Sequence, residues 1–203
     1  MIFVGTDIIS ISRIDTIIRD KGKNFLNHIY TENEQNICNS AVIPTMRSQG
    51  HGRIIQCSSI LGFVALAYRG PYNATKWAIE GLSDTLRLEL EGSGVHVISI
   101  RPGPINTKFR ENSIPHFEKW IDQNSSYLKR VYEEELVPRL YDPSQASIFQ
   151  LEVEAVTKKV VRALESRRPS MIYSVTLPTH VMGLVIRFLP KFAVHRLLLL
   201  LSK

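Results

Sequence analysis

The sequence has few cysteines and no long apolar run. Cys38 and Cys57 are the only two cysteines among 203 residues, and neither has a metal-ligand spacing to histidine. This argues against a disulfide framework or a zinc site and favours a reduced, cytoplasmic chain. No stretch reaches the roughly 18 apolar residues that a membrane-spanning helix needs. The start of the sequence has no basic leader and no small-residue cleavage site, so no secretory signal peptide is expected.

The charge is moderately unbalanced and is not organised as a nucleic-acid surface. The chain has 25 Lys and Arg against 19 Asp and Glu, a formal charge of +6, without a cationic stripe interleaved with aromatics. Hydrophobic residues make up 44% and charged residues 22%, which is typical of a folded globular protein. The charge therefore suits an anionic cofactor or an anionic lipid, and no nucleic-acid partner is expected.

From residue 41 onward, short apolar runs alternate with stretches of helical spacing. This order predicts a parallel α/β sheet whose strands are covered on both faces by helices. Residues 108–147 contain scattered aromatics without regular spacing and are predicted to be irregular. The predicted strands are 53–57, 95–100 and 171–175, the predicted helices are 41–47, 72–90, 152–166 and one beginning at 179, and a strand over 2–4 with helices over 11–19 and 23–29 precedes them.

Three side chains of the right chemical types are predicted to meet at one edge of this sheet. Tyr72 and Lys76 are spaced i and i+4, so both leave one face of their helix. Ser59 comes thirteen residues before Tyr72, just after a predicted strand. That position is the carboxyl end of a parallel strand, where ligands bind in open α/β sheets.

A phenol, a hydroxyl and an ammonium group together can reduce a carbonyl. The phenol of a tyrosine has a reference pKa of about 10, and a nearby ammonium is expected to lower it. Tyr72 would then give a proton to a substrate oxygen, or take one in the reverse direction. Ser59 would hold the same oxygen by a hydrogen bond. Lys76 would tune Tyr72 and anchor a cofactor sugar hydroxyl.

The motifs around these residues resemble the catalytic half of the short-chain dehydrogenase/reductase family. The matching segments are GRIIQCSSILG, YNATK, the strand VHVISI and the loop RPGPINT, and the resemblance runs from about residue 40 to residue 203. It implies that Ser59, Tyr72 and Lys76 are catalytic and that the cofactor is NAD or NADP. It also implies that the cofactor contacts are Tyr72, Lys76, Pro102, Gly103, Ile105 and Thr107.

The glycine-rich phosphate turn of that family has no counterpart here. The spacing Gly-x-x-x-Gly-x-Gly does not occur in the sequence, and no residue can be assigned to the choice between NAD and NADP. The expected fold is therefore an incomplete Rossmann-like parallel sheet, flanked by helices, that lacks the N-terminal dinucleotide-binding strands.

Residues 1–38 resemble a different family, the start of a holo-acyl-carrier-protein synthase (a phosphopantetheinyl transferase). Asp7 and Glu34 match its metal-binding segments, but the Lys-Glu-Ala tripeptide that supplies a second carboxylate is absent. One carboxylate cannot organise magnesium for pyrophosphate chemistry, so no metal site is predicted. We expect two parts, the segment 1–38 and a dehydrogenase part over 39–203 that ends in an amphipathic helix.

Several functions remain open at this point. The leading hypothesis is an NAD(P)-dependent oxidoreductase that acts on an apolar alcohol or ketone, with a homo-oligomer formed through the YNATK helix. Alternatives are a truncated or fused chain without activity, and a remnant of the phosphopantetheinyl transferase. A last hypothesis is peripheral membrane or partner binding through residues 179–203, which mix apolar residues with Arg187, Lys191, His195 and Arg196.

Overall fold

The computed structural model describes residues 42–142 and 148–201, which form two compact units. The first unit contains the described residues up to Gly103 and those from Val156 onward, and the second is Pro104–Ala155. The elements predicted before residue 41, together with Asp7 and Glu34, lie outside the described residues. Nothing in the described part of the chain is a helix long and apolar enough to cross a membrane.

The first unit is built on a parallel sheet, as the sequence predicts. Within the described residues the sheet has three strands in the order β1 (Gly52–Cys57), β2 (Val95–Arg101) and β3 (Ile172–Ser174). Gly52 pairs with Val95 at one end of the β1–β2 register and Cys57 with Ile100 at the other. β2 is the central strand, and its residues Val97, Ile98 and Ile100 are at most 3% exposed. Burial on both faces suits its largely apolar sequence, which is interrupted by His96 and Ser99.

Helix α1 (Val42–Gln49) precedes β1, and the long helix α2 (Gly70–Glu89) connects β1 to β2. Pro71 lies in the first turn of α2, where its fixed φ suits a helix start. After α2 the chain turns through Gly94, whose φ is +77° and whose carbonyl accepts a hydrogen bond from the Gly52 N–H at 3.3 Å. A Cβ at Gly94 would lie 1.9 Å from the Gly50 oxygen, so this turn requires glycine. Leu90, Val95 and Val97 form a buried cluster here, against which Ile43, Met46, Ile54 and Leu86 pack.

Over the described residues 108–142 the second unit is mainly helical, so the prediction that residues 108–147 are irregular is wrong there, whereas 143–147 lie outside the described residues. It contains α3 (Phe109–Trp120), α4 (Lys129–Val131), a π-helical turn (Tyr132–Leu136) and α5 (Val137–Tyr141). Helix α3 has Pro115 in its interior and few apolar residues to mark one face. Both features hide a helix from a search for apolar periodicity.

The chain then forms α6 (Val153–Glu165), β3, α7 (Leu177–Phe188) and α8 (Lys191–Leu201). Arg53 on β1 fastens the end of α6 to the sheet, because its guanidinium donates to the carbonyls of Ala163 at 2.5 Å, Ser166 at 2.6 Å and Leu164. The helix predicted from residue 179 is two helices, separated at Pro190, whose ring cannot continue α7.

Candidate active site

Ser59 lies immediately beyond the carboxyl end of β1, as predicted. It is the N-cap of a 3-10 turn over Ile60–Gly62, with extended backbone angles (φ −164°, ψ 165°), and its Oγ accepts from the Leu61 N–H at 3.1 Å. Only 8% of the residue is exposed. The turn therefore fixes the Ser59 hydroxyl at the edge of the sheet.

Tyr72 and Lys76 reach the same place from the first turns of α2. A hydrogen bond joins the Tyr72 and Ser59 side chains. The Lys76 Nζ lies 5.6 Å from the centre of the Tyr72 ring and donates to the Cys57 carbonyl at 3.0 Å. Lys76 is only 3% exposed, although it is a charged residue on a helix. The structure therefore brings the three predicted side chains together around the end of β1.

Burial sets the proton affinities in this cluster. Burial raises the pKa of Tyr72 above its ordinary value of 10.0, with a smaller rise from Cys57, against the lowering effects of the Ser59 hydrogen bond and of Arg69. Burial also lowers the pKa of Lys76. The expectation that the pKa of Tyr72 lies below its ordinary value is wrong for this arrangement, because desolvation of the phenol outweighs the groups that lower its pKa. Tyr72 is consequently protonated at neutral pH and able to donate a proton.

The loop after β2 is tied to the Ser59 turn. The Ile60 N–H donates to the Pro102 carbonyl at 2.7 Å. Gly103 follows, and a Cβ there would lie 2.0 Å from the Thr176 Oγ1, so the backbone approaches the start of α7 too closely for a side chain.

The other two predicted cofactor contacts belong to the second unit. Ile105 forms an isolated parallel bridge with Leu151. The Thr107 Oγ1 accepts from the Phe109 N–H at 3.3 Å, at the start of α3. Their role in cofactor binding stays a prediction.

An ion pair that sequence analysis missed continues the Tyr72–Lys76 face of α2. Glu80 lies one turn beyond Lys76, and both of its carboxylate oxygens accept from the Arg101 guanidinium at 2.8 Å. Glu80 is 6% exposed. Although burial raises the pKa of this carboxyl, the hydrogen bonds and the positive charge of Arg101 outweigh burial and hold the pKa below its ordinary value. The i, i+4, i+8 spacing from Tyr72 to Glu80 was visible in the sequence, but the strand residue that pairs with Glu80 was not.

Comparison with known proteins gives consistent matches. A family model described as short chain dehydrogenase matches residues 36–117. The uncharacterized oxidoreductase YbbO of Escherichia coli strain K12 is 36% identical over 157 residues, which are 77% of this chain and 52% of that protein. The 3-ketodihydrosphingosine reductase of Bacteroides thetaiotaomicron is 39% identical over 92 residues, which are 45% of this chain and 33% of that protein.

Solved structures show the same fold. The crystal structure of a short chain dehydrogenase from Burkholderia cenocepacia J2315 in complex with NADP aligns with a TM-score of 0.54 at 22% identity. The alignment covers 82% of this chain and 58% of that chain. The chain thus spans about half the length, or less, of the curated relatives described above.

Proposed function

Because the chain belongs to the short-chain dehydrogenase family, we propose that it interconverts an alcohol and a carbonyl with NAD or NADP. The observation that carries this proposal is the convergence of Ser59, Tyr72 and Lys76 at the carboxyl end of β1. A buried hydroxyl, a half-buried phenol and a buried ammonium form a set of proton donors that lie close together. Such a set suits an oxygen atom that gains negative charge during a reaction.

In the proposed reaction, the chain's own residues handle the oxygen and its proton. The dinucleotide would supply or accept the hydride. The Tyr72 hydroxyl donates its proton to the carbonyl oxygen during reduction, and its raised pKa keeps that proton in place until the oxygen takes it. Ser59 donates a hydrogen bond to the same oxygen. Lys76, anchored on the Cys57 carbonyl, keeps a positive charge beside the phenol.

The residues present fit one end of a dinucleotide. The Lys76 ammonium has three N–H donors, and the Cys57 carbonyl accepts from one of them, so a ribose hydroxyl is a suitable further acceptor. Pro102 lies beside the Ser59 turn, at the sheet edge where α/β proteins bind such ligands. For the phosphates, the sequence offers no Gly-x-x-x-Gly-x-Gly turn. The residues we assign to the cofactor are Tyr72, Lys76, Pro102, Gly103, Ile105 and Thr107.

We assign an apolar alcohol or ketone as the substrate. The second unit exposes large apolar side chains. Contact of these side chains with an apolar substrate would remove them from water, which is favourable. One relative is named as a reductase of a keto compound, 3-ketodihydrosphingosine. The exposed apolar residues of this unit include Phe109, Trp120, Ile121, Tyr127 and Leu128.

Self-association through α2 is part of the proposal. Trp77 and Leu88 are 52% and 81% exposed and are eleven residues apart, so they lie on one outward face of the helix. Sedimentation velocity of the wild-type chain and of Trp77→Ser/Leu88→Ser tests this contact. A wild-type chain that remains monomeric at every concentration would remove it from the proposal.

Dinucleotide binding tests the proposed function directly. NADH and NADPH are each titrated with the full chain, and their fluorescence is recorded. Lys76→Met removes a buried ammonium and should weaken binding roughly tenfold or more, since hydrogen bonds from charged groups contribute about 1.5–3 kcal/mol. Lys158→Met, an exposed lysine on α6, is the matched control and should bind like wild type. Absence of saturable binding of either dinucleotide would overturn the proposal.

A further inference from the structure

The net positive charge of the chain comes entirely from the residues after Glu165. Six of the 25 Lys and Arg lie after Glu165, and no Asp or Glu does. The first 165 residues therefore contain equal numbers of the two signs. Helices α7 and α8 lie in this acid-free part, and Arg187, Lys191 and Arg196 are exposed on them.

Helix α7 presents an apolar stripe on its outward face. Leu177, Val181, Leu184 and Phe188 follow the spacing i, i+4, i+7 and i+11 and are 61%, 46%, 60% and 76% exposed. The opposite face is packed into the unit, since Met182 is only 7% exposed and Thr179 is fully buried. The stripe is therefore an outer surface that none of the described residues covers.

Helix α8 also exposes large apolar side chains. Phe192, Leu199 and Leu200 are 69%, 54% and 73% exposed, whereas Val194 on the inner side is 9% exposed. The exposed cations Arg187 and Lys191 lie on either side of the turn at Pro190 that joins the two helices. Large apolar side chains and cations are thus exposed together on two successive helices that contain no acidic residue.

We propose that α7 and α8 bind an anionic lipid bilayer, lying in its interface. The apolar stripe would enter the boundary between headgroups and acyl chains, and the cations would lie among anionic headgroups. The helices have 12 and 11 residues, fewer than the roughly 20 that span a bilayer, so they lie on the membrane. Charge decides in favour of lipid over a protein partner, because an anionic bilayer matches two helices that expose Arg187, Lys191 and Arg196 and contain no acidic residue.

Vesicle co-sedimentation of the full chain tests the proposal, and it needs neither dinucleotide nor substrate. Vesicles of phosphatidylcholine with about one third phosphatidylserine are compared with vesicles of phosphatidylcholine alone. The affinity of the chain for the phosphatidylserine vesicles should be roughly tenfold higher or more, because several cations would contact an anionic surface. High salt should release most of the bound chain, because it screens the headgroup charge. Failure here would leave dinucleotide binding untouched, so the two proposals fail separately.

Two pairs of substitutions separate the apolar and the ionic contributions. Leu184→Ser/Phe188→Ser should weaken binding roughly tenfold or more by removing apolar contact. Its control, Ile148→Ser/Met171→Ser, changes side chains that are 91% and 63% exposed elsewhere and should bind like wild type. The folded state of each variant is checked by circular dichroism.

The second pair of variants tests the ionic contribution. Each variant replaces two cations, four residues apart on the chain, by glutamate. Arg187→Glu/Lys191→Glu should abolish the preference for phosphatidylserine, whereas Lys158→Glu/Arg162→Glu on α6 should keep it. Three results of the vesicle assays would overturn the proposal. They are the absence of sedimentation with either vesicle, equal sedimentation with both, and binding that the α7 substitutions leave unchanged. If the chain instead forms a lipid-independent oligomer that Leu184→Ser/Phe188→Ser disperses, the surface is a contact between copies, and the lipid assignment is wrong.

Discussion

Replacing Arg101 by methionine measures how firmly the end of β2 is held to the helix that bears Tyr72. The Arg101 guanidinium donates to both oxygens of Glu80 at 2.8 Å and lies 4.7 Å from the centre of the Phe63 ring. Methionine keeps most of the apolar stem and removes the charge. Glu80 is then left buried without its main partner.

The expected loss of stability is large for a single substitution. Removing one partner of a buried ion pair costs roughly 3–5 kcal/mol. Because the Arg101 side chain is 18% exposed, compared with 8% for Glu80, we expect the lower end, about 3 kcal/mol in the free energy of unfolding. For a chain of this length that lowers the Tm by roughly 6–12 °C. Glu80→Gln/Arg101→Met should recover part of the loss, since it leaves no unpaired buried charge.

The stabilisation that the Glu80–Arg101 pair contributes should depend on pH in a definite direction. The pKa of Glu80 in the folded chain is below its ordinary value of 4.5, so its ionised form stabilises the fold. That stabilisation is fully present above about pH 4.5 and is lost as the pH falls through the lower, folded-state pKa. The difference in stability between wild type and Arg101→Met should therefore shrink as acid is added.

Urea unfolding followed by circular dichroism, from about pH 7 downward, measures both quantities. Arg130→Met is the matched control, because Arg130 also pairs with a glutamate, Glu134, but is 85% exposed. The control should change the free energy of unfolding by less than about 1 kcal/mol. A loss for Arg101→Met no larger than for the control, or one independent of pH, would refute the reasoning.

Three further predictions follow from individual contacts. Gly94→Ala should cost roughly 2 kcal/mol or more, because its φ is +77° and the new Cβ would meet the Gly50 oxygen at 1.9 Å. Gly81→Ala, in an open helix position with nothing within 4 Å, should stabilise by about 0.5–1 kcal/mol, and thermal melts that rank the two the other way would contradict this. Arg53→Met removes three bonds to the end of α6 and should cost roughly 2 kcal/mol. Hydrogen exchange over residues 163–166 should rise in that variant, and unchanged exchange there would count against the capping role. Alcohol oxidation requires ionised Tyr72, whose pKa lies above 10.0. The rate of alcohol oxidation should therefore rise from about pH 7 to pH 10, while the rate of carbonyl reduction stays constant. The opposite trends in steady-state kinetics would disprove the assignment of Tyr72 as the proton donor.

The features that the sequence predicts well follow from local rules. The spacing of Tyr72 and Lys76 places both on one helix face wherever that helix lies, and a serine after a parallel strand lies at the ligand edge by topology. The boundaries of β1 and β2 agree with prediction to one residue, because their apolar runs are short and end at polar or glycine residues.

The features that were missed depend on packing across the chain. The Glu80–Arg101 pair joins a helix to a strand 21 positions away, and neither residue is unusual in its own segment. The direction of the Tyr72 pKa depends on how deeply the phenol is buried, which no local pattern reports. Helix α3 was missed because Pro115 and a weak apolar face oppose its identification.

The central claim is that the Tyr72 hydroxyl gives its proton to the substrate oxygen. Oxidation of NADPH and NADH by the full chain is followed with a panel of apolar ketones, for wild type, Tyr72→Phe and the control Tyr141→Phe in the second unit. We predict that Tyr72→Phe lowers kcat roughly 10²–10⁴-fold while dinucleotide binding stays within about twofold, and that the control behaves like wild type. A Tyr72→Phe chain that turns over ketones at the wild-type rate would contradict the account.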